Sequence, residues 1–399
     1  LAAKFTGLLG LPKKDADLTT LDLITTAQPT KGGRDRMWGD DGSDLMFGGT
    51  DTDVMYGDDG NEVYQVPAKA NQDVMFGDHG RLYPQFSRYR AVDGTLVATN
   101  AIHSRNFFAI DMGLADGGQG DVMRGEEGDD VMLGQQGDDR MWGGSGDDDM
   151  TGGHNVSGGA DELADAGAIR VVILGDAFND VMDGGSGNDA MSGDNATIWR
   201  RGDSIDPRFR TLEGATIYTT TEDTIDVNVT AAHGADPAGT VGRDITLRDH
   251  ADGTDPLLYG RDVMAGGADR DTMFGQLGND LMQGDGGIRD EKNDTWTRSL
   301  YDVDVGDFGG GTDQLLKFDV PEAATDGDDY MEGNGGNDLM YGGLGQDDMI
   351  GGSSDLFGLT TRAMRPDGSD TMYGGAGLRL DRLDTGDLEG DSDHARDSD

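Results

Sequence analysis

The chain has 399 residues and a formal net charge of −47, with 78 acidic against 31 basic residues, 35% hydrophobic residues and no cysteine. Disulfides and thiolate metal sites are excluded, no basic stripe is present to meet nucleic acid, and no apolar run approaches the ~18 residues of a membrane span. Asp accounts for 68 of the acids and Gly also numbers 68; a sequence that sets Asp beside Gly and seldom uses Glu asks for a short carboxylate at tight turns, and bound cations would neutralise a charge too large for a compact fold to carry alone.

Residues 1–29 form a lead-in without a period, opening on Leu1, as expected of a processed product or an excised piece. Residues 30–76 begin a nine-residue pattern marked by Met37, Met46 and Met55, with Met75 in the same local context. An excursion over 77–116 carries Tyr83, Phe86, Tyr89, Phe107 and Phe108 among Arg81, Arg88, Arg90 and Arg105. Its aromatics are expected to cap an open end, with its arginines facing the acidic rows. The pattern returns over 117–152 with Met123, Met132, Met141 and Met150, then yields over 153–174 to a segment whose residues 169–174 read as a buried strand. Residues 175–195 hold Met182 and Met191. The excursion over 196–259 opens on Arg200, Arg201, Arg208 and Arg210, and its Thr-, Ile- and Val-rich stretch 212–229 reads as strands. Met264, Met273 and Met282 mark 260–286; 287–326 is a further excursion; Met331, Met340 and Met349 mark 327–352. Residues 353–399 are a short excursion, a last repeat at Met372 and an acidic tail expected to be loose. The exits Gly77-Asp78-His79-Gly80, Gly193-Asp194-Asn195-Ala196 and Gly284-Asp285-Gly286-Gly287 are alike, which suggests one larger unit of block, excursion and return.

Two residues before each in-phase methionine stands an Asp: Asp35, Asp44, Asp53, Asp73, Asp121, Asp130, Asp139, Asp148, Asp180, Asp189, Asp262, Asp271, Asp280, Asp329, Asp338, Asp347 and Asp370. Gly usually occupies the first position of the unit and often the fourth, as in Gly134-Gln135-Gln136-Gly137-Asp138-Asp139-Arg140-Met141-Trp142. This unit resembles the RTX calcium-binding repeat, Gly-Gly-x-Gly-x-Asp-x-(apolar)-x, and the resemblance covers roughly half the chain in five blocks. It implies an all-β fold: right-handed parallel β-roll (RTX solenoid) blocks interrupted by β or irregular excursions. Turn plus short strand makes half a coil, so two units close one turn and units n and n+2 stack on the same side. Their Asp carboxylates and turn carbonyls would enclose hard cations, Ca2+ in several copies (roughly 6–12), each taking 6–8 oxygens. The complete pairs expected from eighteen-residue spacing are Asp35 with Asp53, Asp121 with Asp139, Asp130 with Asp148, Asp262 with Asp280 and Asp329 with Asp347, with Asp44 and Glu62 as a sixth. Met replaces the usual Leu, Ile or Val at the inward position, so the core is expected to be a buried methionine ladder. That ladder also raises copper as an alternative metal.

No His-Glu-x-x-His and no Gly-x-Ser-x-Gly occurs, and the six histidines are scattered without helical i, i+4 spacing, so no catalytic residue is expected and the chain is not expected to be an enzyme. The leading expectation is a bacterial secreted or cell-surface structural and interaction protein: a segment of an adhesin, surface layer, sheath or filament subunit that folds on calcium and self-associates into a polymer or layer. The alternatives are the RTX export or folding module of a secreted toxin or lytic enzyme with its catalytic domain elsewhere, and a lectin-like module that binds through its excursions. No nucleic acid partner is expected.

Overall fold

The computed structural model describes residues 24–26, 32–58, 72–82, 88–90, 96–98, 107–110, 118–159, 171–173, 176–178, 180–200, 218–221, 224–227, 243–288, 318–319 and 325–375. Two parallel sheets dominate them. The first has nine strands, in the order Arg36–Trp38, Val54–Tyr56, Val122–Glu127, Arg140–Ser145, Val181–Ser186, Val263–Ala268, Leu281–Asp285, Leu339–Tyr341 and Thr371–Tyr373. The second has eight, in the order Leu45–Phe47, Val74–Phe76, Val131–Leu133, Asp149–Thr151, Ala190–Ser192, Thr272–Phe274, Tyr330–Glu332 and Asp348–Ile350. Chain order and spatial order coincide in both sheets. The chain alternates between them, so each coil lies on the one before, and the architecture is a parallel β-roll.

Register follows from the period. A strand of x-Met-x turns one side chain inward and two outward. Met37 pairs with Met55, Met55 with Met123, Met123 with Met141, and so on to Met372 in the first sheet; Met46 pairs with Met75 and the second row runs on to Met349. The two rows face each other as one core in which fourteen methionines are buried, thirteen of them from Met55 to Met340 fully and Met46 at 6% exposure. Dispersion contacts of flexible thioethers fill the narrow space between sheets without strain. Met37 and Met349, near the two ends, are only partly buried, and Met372 is 46% exposed. The ladder is therefore open at its last rung, a departure from uniform burial whose cause is that no further strand of the first sheet covers Thr371–Tyr373 among the described residues.

The coils do not restart at each excursion. Val54–Tyr56 pairs directly with Val122–Glu127, Arg140–Ser145 with Val181–Ser186, Val181–Ser186 with Val263–Ala268, and Thr272–Phe274 with Tyr330–Glu332. The intervening segments loop out of one continuous roll. Several described stretches of them pack on its flank. Gly80–Leu82 pairs antiparallel with Ile24–Thr25 and Phe107–Ala109, and Leu82 packs on Val74, Phe76, Val131 and Leu133. The aromatics of that excursion were expected to cap an open end; Phe107 and Phe108 instead stand in a sheet beside the roll, because the outward faces of Val74–Phe76 and Val131–Leu133 are themselves apolar. Tyr83, Phe86 and Arg105 lie outside the described residues. Ala196–Arg200 pairs with Arg243–Leu247, and Ile198, Ile245 and Leu247 cover Ala190, Phe274 and Tyr330 together with Phe357 and Leu359. Val171–Ile173 forms a strand paired with Asp176–Phe178, and Tyr218–Thr221 pairs with Thr224–Val227.

One ion pair fastens the third excursion to the roll. The Arg243 guanidinium, 3% exposed, donates through Nε to Asp149, 1% exposed, and through Nη2 to the Asp148 carbonyl at 3.2 Å. Burial raises the strength of such a pair and the cost of breaking it. Arg243→Met is expected to destabilise the calcium-loaded fold by ~3–5 kcal/mol, read as a clear fall in Tm at saturating calcium. A Tm equal to that of the parent chain would contradict this role.

Candidate metal centre

The Asp at position six of each nine-residue unit lies where a turn becomes a strand. Its Oδ1 accepts a hydrogen bond from the backbone N–H of the corresponding Asp one coil earlier. One row runs Asp35, Asp53, Asp121, Asp139, Asp180, Asp262, Asp280, Asp338, Asp370, with N–H···Oδ1 distances of 2.6–3.1 Å at every step. The other runs Asp44, Asp73, Asp130, Asp148, Asp189, Asp271, Asp329, Asp347, at 2.7–3.1 Å. All seventeen aspartates singled out in the sequence fall into these two rows. The five pairs expected at eighteen-residue spacing are neighbours, and so are ten further pairs 29 to 82 residues apart. Asp44 stacks on Asp73, 29 residues on; Glu62, its expected partner, lies outside the described residues.

The second carboxylate oxygen has a different neighbourhood. Oδ2 of Asp53, Asp73, Asp121, Asp139, Asp189, Asp271, Asp280, Asp329 and Asp338 is buried and meets no hydrogen-bond donor among the described residues. It points at the glycine that opens the same turn, five residues earlier in the uninterrupted units and before the interruption for Asp73, Asp121 and Asp329, which face Gly57, Gly77 and Gly284. A Cβ on Gly134 would stand 2.3 Å from Asp139 Oδ2 and 2.4 Å from the Gly152 carbonyl oxygen; one on Gly184 would stand 2.3 Å from both Asp189 Oδ2 and the Gly266 carbonyl oxygen. Glycine is required there because a carboxylate oxygen and a carbonyl oxygen converge on the space a side chain would fill. Acceptors facing acceptors, with no donor between, are the complement of a hard cation and fit calcium's all-oxygen preference. Sulfur is absent from the cradle, since the methionines point into the core, which speaks against copper at this place. Among the described residues no three acidic or histidine side chains converge on one point. A cradle here therefore combines carboxylates from neighbouring coils with turn carbonyls.

Burial pushes these carboxyl groups up. Asp53 and Asp73 are raised to about 7, Asp189 and Asp338 to about 8, and Asp329 to about 9, desolvation being the largest cause in each. Asp121, Asp139, Asp271 and Asp280 rise well above the usual carboxylate range through desolvation, and in Asp121, Asp271 and Asp280 the carboxylates of adjacent rungs add to it. A folded-state value above the unfolded one means that the metal-free roll binds more protons than the unfolded chain. Its stability is thus greatest below about pH 4 and is lost as pH rises through about 7–9. Two outcomes are expected: in chelator, acidification from pH 8 to 4.5 raises the β-signal, and at pH 7 calcium binding releases protons, measurable by calorimetry in buffers of different ionisation enthalpy. Identical metal-free spectra at both pH values would contradict the arrangement.

Each aspartate row is flanked by an outer one that the repeat motif did not single out. At position five, Asp129 Oδ1 accepts from Asp147 N at 3.0 Å, Asp147 Oδ1 from Asn188 N at 2.8 Å, and Asn279 Oδ1 from Asn337 N at 2.8 Å. The recurrent Asp or Asn immediately before the position-six Asp was its signal. On the outer face of the first sheet the Arg124 guanidinium lies between Tyr56 and Trp142, 5.3 and 4.9 Å from their ring centroids.

Stacked short strands, glycine turns and two buried aspartate rows define a metal-binding β-roll repeat protein. The profile of the RTX calcium-binding nonapeptide repeat matches residues 30–61, 116–153, 172–196, 258–288 and 324–355, so the chain carries the RTX repeat in five segments and is a calcium-binding module, its repeats taking several Ca2+ ions. Such repeats occur in secreted bacterial proteins, and no helix of the described residues is long and apolar enough to cross a membrane. No curated protein and no solved structure matches the chain significantly.

Proposed function

We propose that the chain is a calcium-stiffened structural and interaction segment of a bacterial secreted surface protein, such as an adhesin, surface layer, sheath or filament subunit. The ligands are the position-six aspartates of the two rows, from Asp35 to Asp370 and from Asp44 to Asp347, with Glu62 as a further one. The observation that carries the reading is continuity. One roll persists through every excursion and keeps both aspartate rows in register over nine and eight rungs. A quasi-one-dimensional body of this kind suits spacing and display, and its open strand edges suit association between copies. Its role in this reading is mechanical, with catalysis, if the whole protein has any, residing in another domain. Light scattering and negative-stain microscopy across a calcium titration to ~10 mM, above the ~10⁻⁴–10⁻³ M of extracellular sites, test it: assembly should appear with calcium. Monomers throughout would favour the export-module reading instead.

A cleft of ≈ 580 Å³ favours the lectin-like reading as a second choice. It lies where the loop 251–261 meets the turn row at Gly278 and Gly336, and Asp252, Tyr259, Arg261 and Asn279 offer it an aromatic ring with donors and acceptors. A glycan array on calcium-loaded protein tests it.

A further inference from the structure

The chain leaves the roll at six places, at the five excursions and also after Asp58 within the first block, where Asp44 stacks on Asp73, and always at one point of the nine-residue unit. Uninterrupted turns go left-handed at positions two and four, as at Gln135 and Gly137 (φ 81° and 121°) and at Gln276 and Gly278 (71° and 152°). Where the chain departs, position two is Asp58, Asp78, Gly153, Asp194, Asp285 or Gly352, and none of these is left-handed. The returning chain resumes at position four. Gly260 returns beneath Gly278, Gly327 beneath Gly345 and Gly368 over Gly336: a Cβ on Gly278 would meet the Gly260 carbonyl oxygen at 2.0 Å, one on Gly345 that of Gly327 at 1.7 Å, and one on Gly368 that of Gly336 at 1.5 Å. Joining the two halves restores whole repeats. Gly193-Asp194-Asn195 with 260–265 reads Gly-Asp-Asn-Gly-Arg-Asp-Val-Met-Ala; Gly284-Asp285-Gly286 with 327–332 reads Gly-Asp-Gly-Gly-Asp-Asp-Tyr-Met-Glu; Gly351-Gly352-Ser353 with 368–373 reads Gly-Gly-Ser-Gly-Ser-Asp-Thr-Met-Tyr.

Four of the six departure points carry an Asp, and all four make the same bond. Oδ2 of Asp58, Asp78, Asp194 and Asp285 accepts from the position-three N–H of the next coil on that edge: Glu127 at 3.1 Å, Gln136 at 3.1 Å, Leu277 at 2.9 Å and Leu344 at 2.7 Å. In two of them Oδ1 also takes the N–H of the returning glycine, Gly260 at 2.6 Å and Gly327 at 3.0 Å. One carboxylate thus ties the departing strand to its own returning end and to the coil beyond.

We propose that each Gly-Asp departure is an insertion clasp, and that the excursions are exchangeable segments inserted between positions two and four of the turn, removable without disturbing the aspartate rows. An Asp at position two replaces with its side chain the turn that a left-handed residue makes in an uninterrupted unit. The roll is by this reading a scaffold on which segments of any length are displayed at fixed edges, so that what it contacts is set by the excursions alone.

The test uses two deletions in the full chain. Removing 287–326 leaves a nine-residue unit; removing 287–327 leaves one of eight and shifts the register. The first is expected to fold with a calcium midpoint within twofold of the parent, and the second to require at least tenfold more calcium or to lose β-signal beyond Met282. Failure of the in-register deletion, or equal behaviour of the two, overturns the proposal. Asp285→Ala in the intact chain provides an independent readout by hydrogen exchange: the amides of Gly327 and Leu344 should exchange at least tenfold faster, and unchanged protection overturns the clasp. The parent is titrated alongside, so that a chain indifferent to calcium counts against the metal reading and leaves the exchange result to judge the clasp.

Discussion

In chelator near neutral pH the chain is expected to lose most of its parallel β-signal and to regain it cooperatively at millimolar calcium. Each unit turns one methionine inward, and burying it contributes ~1.5–3 kcal/mol. Ordering costs ~1–2 kcal/mol for every residue of the unit's backbone. Flanking apolar residues add to the burial along the second sheet, where Leu82, Ile245 and Leu247 cover it. Against this thin core stand buried carboxylates in two rows whose like charges face each other from coil to coil. Without a cation the rows must either take up protons or separate. Binding free energy of the metal then becomes folding free energy. Circular dichroism at pH 7.5 with calcium titrated from chelated to ~10 mM measures it. A full β-spectrum in chelator at that pH would show that the methionine core suffices alone.

Substituting Asp139 is expected to have the largest effect of any single side chain in the rows. It lies mid-roll; its Oδ1 accepts from Asp121 N at 2.6 Å and its own N–H donates to Asp180 Oδ1 at 2.8 Å. It therefore adjoins two successive gaps between coils. Losing a charge-assisted contact of ~1.5–3 kcal/mol corresponds to about a tenfold to hundredfold weaker calcium midpoint. Asp139→Asn separates the two jobs of the side chain, because the amide keeps an oxygen to accept the Asp121 N–H but brings no charge. It should weaken calcium binding nearly as much as Asp139→Ala. Asp355→Ala, at an exposed residue outside the rows, should leave the midpoint unchanged. If Asp139→Asn proves silent, the rows are hydrogen-bond ladders and not metal ligands.

The local unit was legible because a period of nine fixes three things together: Asp at six, an inward residue at eight, and glycine where oxygens converge. Each in-phase methionine found in the sequence is the second residue of a strand for that reason. What could not be read was the path between blocks. Spacing along the chain gave Asp121 its partner Asp139, but Asp180 stacks on Asp262 and Asp73 on Asp130 because their coils are neighbours in space, with excursions looped out between them. The same holds for Arg243 and Asp149: nothing local ties them, and only the packing of Ile245 and Leu247 on the second sheet brings the guanidinium there. The likeness of Gly77-Asp78, Gly193-Asp194 and Gly284-Asp285 was visible as a pattern, whereas its meaning needed the bonds to Gln136, Leu277 and Leu344.

The central claim is that calcium lies between successive rungs of the two aspartate rows. A crystal structure of the calcium-loaded chain, with the ions located by their anomalous scattering, tests it most directly. The account predicts two files of ions along the edges of the roll, each bound at ~2.3–2.6 Å by position-six carboxylates of adjacent coils, such as Asp121 with Asp139 and Asp130 with Asp148, and by turn carbonyls. Ions confined to the excursions or the outer surface, with the space between those carboxylates left empty, would contradict it.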